Sequence, residues 1–334
     1  MSSPPSASAL LTESVSQAPR REWLFFCLFA LYVIWGSTYL GMRFALMGGF
    51  PPLMLGGSRF ILAGAILYTL LRLKGFATPT RRQWAAGAFT GLLLLVIGNG
   101  GVAIAQQWVP SGVAALVVGS MPLWAALFGG LADGQWPGTL ERWGLALGFF
   151  GIAVLNRGGD LGTHWLPFAG LVLAPISWAF GSIWSKRQPH MAPGLMATAT
   201  QMLCAGVMLM GLSTLLGERM TALPTPRALL AFFYLVGFGS LVAFSAYGYL
   251  LKHARPALAT SYAYVNPMVA VLLGWLLAGE TPGPYTLVAM AAILGAVMLI
   301  TRKTPTARPA SAAVAREPFP EGRTALTGSG ESER

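Results

Sequence analysis

The residues best suited to act on another molecule sit, unexpectedly, in an apolar setting. Residues 260–267 read TSYAYVNP, inside the run PALATSYAYVNPMVAVLLGWLLAG at 256–279. On a helix Tyr262 and Asn266 are four apart and share one face, while Ser261 and Tyr264 are three apart and share another. Pro267 lacks an N–H, so the carbonyl of Ala263 loses its helical donor. Phenols, a carboxamide, hydroxyls and a released carbonyl are hydrogen-bonding groups, with no general base beside a nucleophile. Their chemistry is coordination of a polar solute or of water in a cavity. The same groups can bond a neighbouring helix at about 1 kcal/mol each. Their clustering favours the cavity.

Weaker stretches of the same kind recur. In LVVGSMP (116–122), Pro122 releases the carbonyl of Val118, with Ser120 and Trp124 nearby. WGSTY (35–39) offers Trp35, Ser37, Thr38 and Tyr39, and SWAFGS (177–182) offers Trp178 and Ser182. Asn99 stands between Gly98 and Gly100, where a kink or a close backbone approach is expected. Ser245, Tyr247 and Tyr249 add a further group. Aromatic walls suit an apolar or cationic solute, although each ring alone is as well explained by core packing or an interfacial belt. Arg59 has two readings, an anchor for a substrate carboxylate or a side chain snorkelling to the interface; its place a few residues into a helix favours snorkelling.

The acidic residues are informative by position. All eleven fall in tails, linkers or helix ends, whereas proton relays use buried carboxylates or histidines. Glu280 is the acidic candidate for gating or coupling, because a one-turn shift brings it toward a central cavity. His164, His190 and His253 lack ligand spacing, and Cys27 and Cys204 lie in apolar runs as small hydrophobes. No metal, cofactor or catalytic group is expected, and the chain does not read as an enzyme.

Ten elements must position these residues. The chain has 334 residues, 55% hydrophobic and 10% charged, with mean hydropathy +0.62. A soluble domain carries about 25% charged residues. This is an all-α polytopic membrane protein whose first partner is the lipid bilayer. The net charge of +11 fits basic flanks of membrane helices, not nucleic-acid binding. A spanning helix needs about 20 mostly apolar residues. Such runs fall at 23–45, 53–73, 84–107, 111–132, 140–156, 165–185, 194–216, 228–251, 257–279 and 284–301. With the N-terminus in the cytoplasm, seventeen of the 22 Lys and Arg lie on the cytoplasmic side and four outside, leaving Arg59 within a run. Both termini are therefore expected in the cytoplasm, with residues 1–22 and 302–334 as disordered tails.

The runs repeat. WGST (35–38) matches FGSI (180–183); Pro110, Pro122 and Pro137 match Pro256, Pro267 and Pro282, all at offsets near 145. A five-helix unit, 23–156, is thus expected to recur at 165–301. Because five is odd, the copies are inverted across the membrane, an arrangement common in secondary transporters, with the substrate at the repeat interface. Gly144 and Gly148, with Ala291 and Gly295, form small-residue faces that read as helix-packing scaffold; a homodimer contact is a further reading of them.

These motifs together resemble the drug/metabolite transporter superfamily, EamA type. The carriers of the resemblance are WGSTY (35–39), GNG (98–100), PSGVAAL (110–116) with Pro122, SWAFGS (177–182), and NP (266–267) with AGE (278–280). It covers residues 23–301. It implies a ten-helix carrier of the bacterial inner membrane, often exporting amino acids, metabolites or toxic compounds, with the fourth and ninth helices among the cavity walls. One departure stands out: where Glu280 lies 13 residues after Pro267, Gln135 lies 13 after Pro122, and the nearest acid is Asp133. The expectation is alternating-access export of a small organic metabolite, with Trp35, Ser37, Tyr39, Asn99, Ser120, Trp178, Ser182, Tyr262, Tyr264 and Asn266 as candidate substrate contacts. Import or exchange of phosphorylated or nucleotide-linked compounds needs paired cavity cations, and only Arg59 is visible. A non-transporting sensor or scaffold remains the alternative from another class.

Overall fold

The computed structural model describes residues 21–133, 138–157, 165–253 and 262–301. Residues 1–20 and 302–334 of the expected tails, Gln135 and Ser261 lie outside these residues, as do the side chains of Asp133 and Tyr264; Arg21 and Glu22, expected in the first tail, instead open a helix. Among the described residues the secondary structure is helical, without strands.

Helices occupy every apolar run. They are α1 (Arg21–Met47), α2 (Pro52–Leu73), α3 (Arg81–Ala105), α4 in two pieces (Ser111–Val118 and Met121–Asp133), α5 (Thr139–Arg157), α6 (Trp165–Arg187), α7 (Leu195–Leu215), α8 (Pro226–Tyr234 continued through Ala243–His253), α9 (Tyr262–Ala278) and α10 (Pro284–Thr301). Seven of them, α1 to α4 and α6 to α8, contain stretches long and apolar enough to cross a membrane, and α9 and α10 contain shorter apolar stretches. The protein is a multi-pass membrane protein.

Local sequence explains the helix ends. Thr80 and Gln83 form a capping box at the start of α3. Thr225 caps α8, with Pro226 at the first helical position. Gly217 (φ 72°) follows α7 and Gly279 (φ 66°) follows α9, a left-handed backbone that only glycine adopts without strain. Each glycine turns the chain so that the next residue, Glu218 or Glu280, reaches back to another helix.

Two features depart from regular α-helix. α3 and α8 each contain a π-helical segment, Leu92–Asn99 and Leu235–Val242. Such segments shift backbone hydrogen bonds by one residue and leave carbonyls for other donors. Ser177 Oγ on α6 donates to the carbonyl of Leu93 at 2.7 Å, and Trp35 Nε1 on α1 donates to that of Gly239 at 3.4 Å. α4 is interrupted at Gly119–Ser120, just before Pro122, where Ser120 Oγ donates to the carbonyl of Val117 at 2.6 Å. α9, in contrast, is continuous from Tyr262 to Ala278 with Pro267 inside it.

The helices pack in pairs: α2 along α7, α5 along α10, α1 along α8 and α9, and α6 along α3 and α4. The α2–α7 crossing is backbone on backbone. A β-carbon on Gly206 would stand 2.7 Å from the nitrogen of Ile61, and one on Gly57 2.9 Å from that of Met210. Gly206→Val should therefore cost about 1–3 kcal/mol, seen as a lower thermal midpoint of the detergent-solubilised protein. Gly211→Ala, on the same helix with nothing within 4 Å, should leave the midpoint unchanged; equal effects of the two would contradict the crossing. The small residues of α5 and α10 are also used within the chain: a β-carbon on Gly148 would meet Leu123, and one on Gly151 would meet Ile293.

Candidate functional site

The break in α4 and the polar stretch of α9 meet. A β-carbon on Gly119 would lie 3.0 Å from the ring of Pro267. Beside this contact is a cavity whose empty space, counting its open mouth, is about 750 Å³. Its walls come from α1 (Trp35, Thr38, Tyr39, Met42), α2 (Arg59), α3 (Gly98, Asn99, Val102) and α4 (Val118, Gly119, Met121). Further walls come from α6 (Ala174, Trp178), α8 (Phe244) and α9 (Tyr262, Ala263, Asn266, Pro267).

An aromatic cluster forms one part of the wall. Trp35 is at its centre, with ring centroids 4.9 Å from Tyr262, 5.1 Å from Tyr247, 5.3 Å from Phe244 and 6.1 Å from Trp178. Most of these contacts are edge-to-face, the geometry aromatic quadrupoles favour. The Tyr262 hydroxyl donates to Met121 Sδ at 3.6 Å, tying α9 to α4. The Tyr247 hydroxyl faces Tyr262, Ser182 and Trp178, but Trp178 Nε1 and Ser182 Oγ form no well-aligned hydrogen bond among the described residues.

The polar part of the wall is sparse. Arg59 is only 3% exposed. Its Nε donates to Ser240 Oγ, in the π segment of α8, at 2.8 Å. Its guanidinium carbon lies 4.9 Å from the Phe60 ring centroid. Asn266 is 5% exposed, and its Oδ1 accepts no hydrogen bond among the described residues.

Glu280 stands elsewhere, at the end of the bundle where α1 ends and α2 begins. Its carboxylate pairs with Arg43 Nε at 2.8 Å and accepts from Ser111 N at 3.0 Å and Ser111 Oγ at 2.7 Å. A carboxylate at the first residues of α4 satisfies helix N–H groups and complements the dipole. Arg43 also donates to the carbonyl of Val109 at 3.2 Å. Glu280 thus ties α9 to α1 and α4. Glu218 does the same for α2, accepting from Leu53 N, Met54 N and Ser213 Oγ.

The family model of the EamA-like transporter family matches residues 22–157 and again residues 165–302. The chain belongs to the EamA-like transporter family. It is 48% identical over 280 residues to the uncharacterized inner membrane transporter YedA of Escherichia coli (strain K12), covering 83% of this chain and 90% of YedA. It is 25% identical over 282 residues to a probable terminal-alkyne amino-acid exporter of Streptantibioticus cattleyicolor, covering 81% of this chain and 91% of that one. A solved crystal structure superposes with a TM-score of 0.61 at 20% identity, over 85% of this chain and 99% of the other; at that identity the likeness is one of fold alone.

In this EamA-like protein, Trp35, Tyr39, Asn99, Trp178, Tyr262, Asn266 and Pro267 come together on the cavity wall. Ser37 stands off it, bonded to the carbonyl of Ile34 at 2.8 Å and to the Tyr234 hydroxyl at 2.5 Å. Ser120 is fully buried in the α4 turn, and Ser182 sits behind Trp178 and Tyr247 rather than on the wall. Arg59 is the reverse case: it does not snorkel but points inward. Its signal was there, a cation within an apolar run, but its direction depends on which side of α2 meets α8. Phe244 and Met42 carry no sequence signal beyond hydrophobicity.

Proposed function

We propose that this chain is a secondary carrier that exports a small organic metabolite, an amino acid or a derivative of one, across the inner membrane. The observation that carries this reading is the cavity itself, lined by residues of both halves, from α1–α4 and from α6, α8 and α9. The carrier has ten crossing helices in two inverted five-helix repeats, 23–156 and 165–301, with both termini in the cytoplasm. Two observations support the duplication, and an odd number of crossing helices in each copy then inverts it. The family model matches twice in tandem, and exchanging α1–α5 with α6–α10 maps the helix pairs onto one another: α1–α9 onto α6–α4, α1–α8 onto α6–α3. Halves related in this way can open the same site first to one face and then to the other. The similarity to a probable terminal-alkyne amino-acid exporter supports the direction and the substrate class. The partners of this reading are the substrate and the bilayer.

The test is comparison of excreted metabolites with and without overexpression, followed by flux of the enriched compound from proteoliposomes. Asn266→Ala serves as the variant. Because Asn266 Oδ1 has no partner among the described residues, its removal should leave membrane abundance normal and cut flux at least about tenfold, the effect of one lost hydrogen bond to substrate. Full flux in Asn266→Ala would remove that residue from the site. No enriched compound and no flux, with a tightly co-purifying protein, would favour a scaffold.

A further inference from the structure

We infer that Arg59 is the anchor for a carboxylate on the transported solute, which makes the substrates small organic carboxylates. The inference rests on the reading of the cavity as the transport site, and goes further by choosing among the solutes it could hold. The aromatic wall alone would suit a cationic or neutral compound as well.

The argument starts from charge. A guanidinium removed from water is costly unless it is paired. Arg59 is 97% buried and lines the cavity. Among the described residues it makes one side-chain hydrogen bond, through Nε to a neutral hydroxyl, Ser240 Oγ, and no carboxylate pairs with it. Glu280 and Glu218, at the same end of the bundle, are engaged by Arg43, Ser111 and the first turn of α2. The two terminal nitrogens thus have no acceptor among the described residues, and they form the fork that receives a carboxylate through two parallel bonds. Ser240 and the Phe60 ring hold the head group from the protein side, so the arginine is already oriented.

Asn266 supplies the second element. Its buried Oδ1 is an acceptor with nothing to accept, and it lines the same cavity. It suits an N–H or O–H donor on the solute. The rings of Trp35, Trp178, Phe244 and Tyr262 line the same cavity and suit an apolar or aromatic body. The chemistry recognised is an anion with a neighbouring hydrogen-bond donor and an apolar remainder.

The test uses the full chain purified in detergent. Its thermal midpoint is measured with a panel of aliphatic and aromatic 2-amino and 2-hydroxy acids, each beside its amide and its decarboxylated counterpart. At least one acid should raise the midpoint, and its amide and decarboxylated partner should need roughly 100-fold higher concentration, the size of a lost buried charge pair. Arg59→Gln should abolish the acid's effect, and Arg59→Lys should keep part of it. An amide or amine that stabilises as well as its acid, a panel in which no acid acts, or an unchanged acid response in Arg59→Gln would each overturn the assignment. If Arg59→Gln does not fold, the acid-against-amide comparison on the unaltered chain decides alone. Binding of the acid without flux in proteoliposomes would overturn the transport reading and leave Arg59 in its role. Undiminished flux of amides or amines would do the opposite.

Discussion

Glu280→Ala should lower the stability of the protein by about 3 kcal/mol, the range for removing one partner of a substantially buried ion pair. The substitution leaves Arg43 without its carboxylate, and it takes the acceptor from both the N–H and the hydroxyl of Ser111 at the start of α4. Arg43 and Glu280 are 22% and 11% exposed, so water screens only part of their attraction. Three helices meet at this one carboxylate, and the loss should be felt in how they close. Each 1.4 kcal/mol shifts an equilibrium tenfold; a conformation closed at this end by Glu280 should be depopulated by more than 100-fold, and flux should fall with it. Glu280→Gln keeps an acceptor for Ser111 and should lose less. The check is a double-mutant cycle on thermal stability with Arg43→Ala. Additive losses would mean that the pair does not couple, and the tie would then be a contact without consequence.

Trp35→Ala should be at least as damaging, at about 3–5 kcal/mol, the cost of removing a buried indole. Trp35 touches Trp178, Phe244, Tyr247 and Tyr262, which come from three different helices. Removing it takes the centre from the cluster and one wall from the cavity, so flux and thermal midpoint should fall together. Trp35→Phe separates the two effects. It keeps most of the ring contacts, each worth about 0.5–1.5 kcal/mol beyond burial, but loses the hydrogen bond to Gly239 in the π segment. Its midpoint should stay near that of the native protein. An unaltered midpoint in Trp35→Ala would show that the aromatic cluster is not a structural unit.

Much of this arrangement is written in the sequence, and the limits are physical. Hydrophobic run length fixes where helices form, because bilayer thickness sets it. Spacing along one helix fixes which residues share a face, and Tyr262 and Asn266 do stand together on the cavity wall. Offsets between repeats carry less. They align Ser37 with Ser182, but the rotation of each helix about its axis depends on its neighbours, and both hydroxyls stand off the wall. Arg59 shows the same limit with a larger consequence. Seven residues into α2, it is as close to the interface as a snorkelling side chain; only the packing of α2 against the π segment of α8 turns it inward. Proline alone does not tell a broken helix from an unbroken one: α4 is interrupted just before Pro122, whereas α9 is continuous through Pro267. The π segments have no propensity signal, apart from the glycines at 98, 237 and 239, since they are held by side chains of other helices.

Those two segments also carry a date. Leu92–Asn99 and Leu235–Val242 have equal length and begin 143 residues apart, close to the spacing of the prolines. A π turn amounts to one residue inserted into an α-helix, and two independent insertions have no reason to fall in corresponding helices at corresponding depth. Under the duplication proposed above, the extra residue was inherited by both halves from a single five-helix ancestor. That ancestor would have met an inverted copy of itself, each chain offering a loosened carbonyl to the first helix of the other. The bonds from Trp35 to Gly239 and from Ser177 to Leu93 join positions that do not correspond in the repeat, so the two halves have since set different donors against the inherited segment.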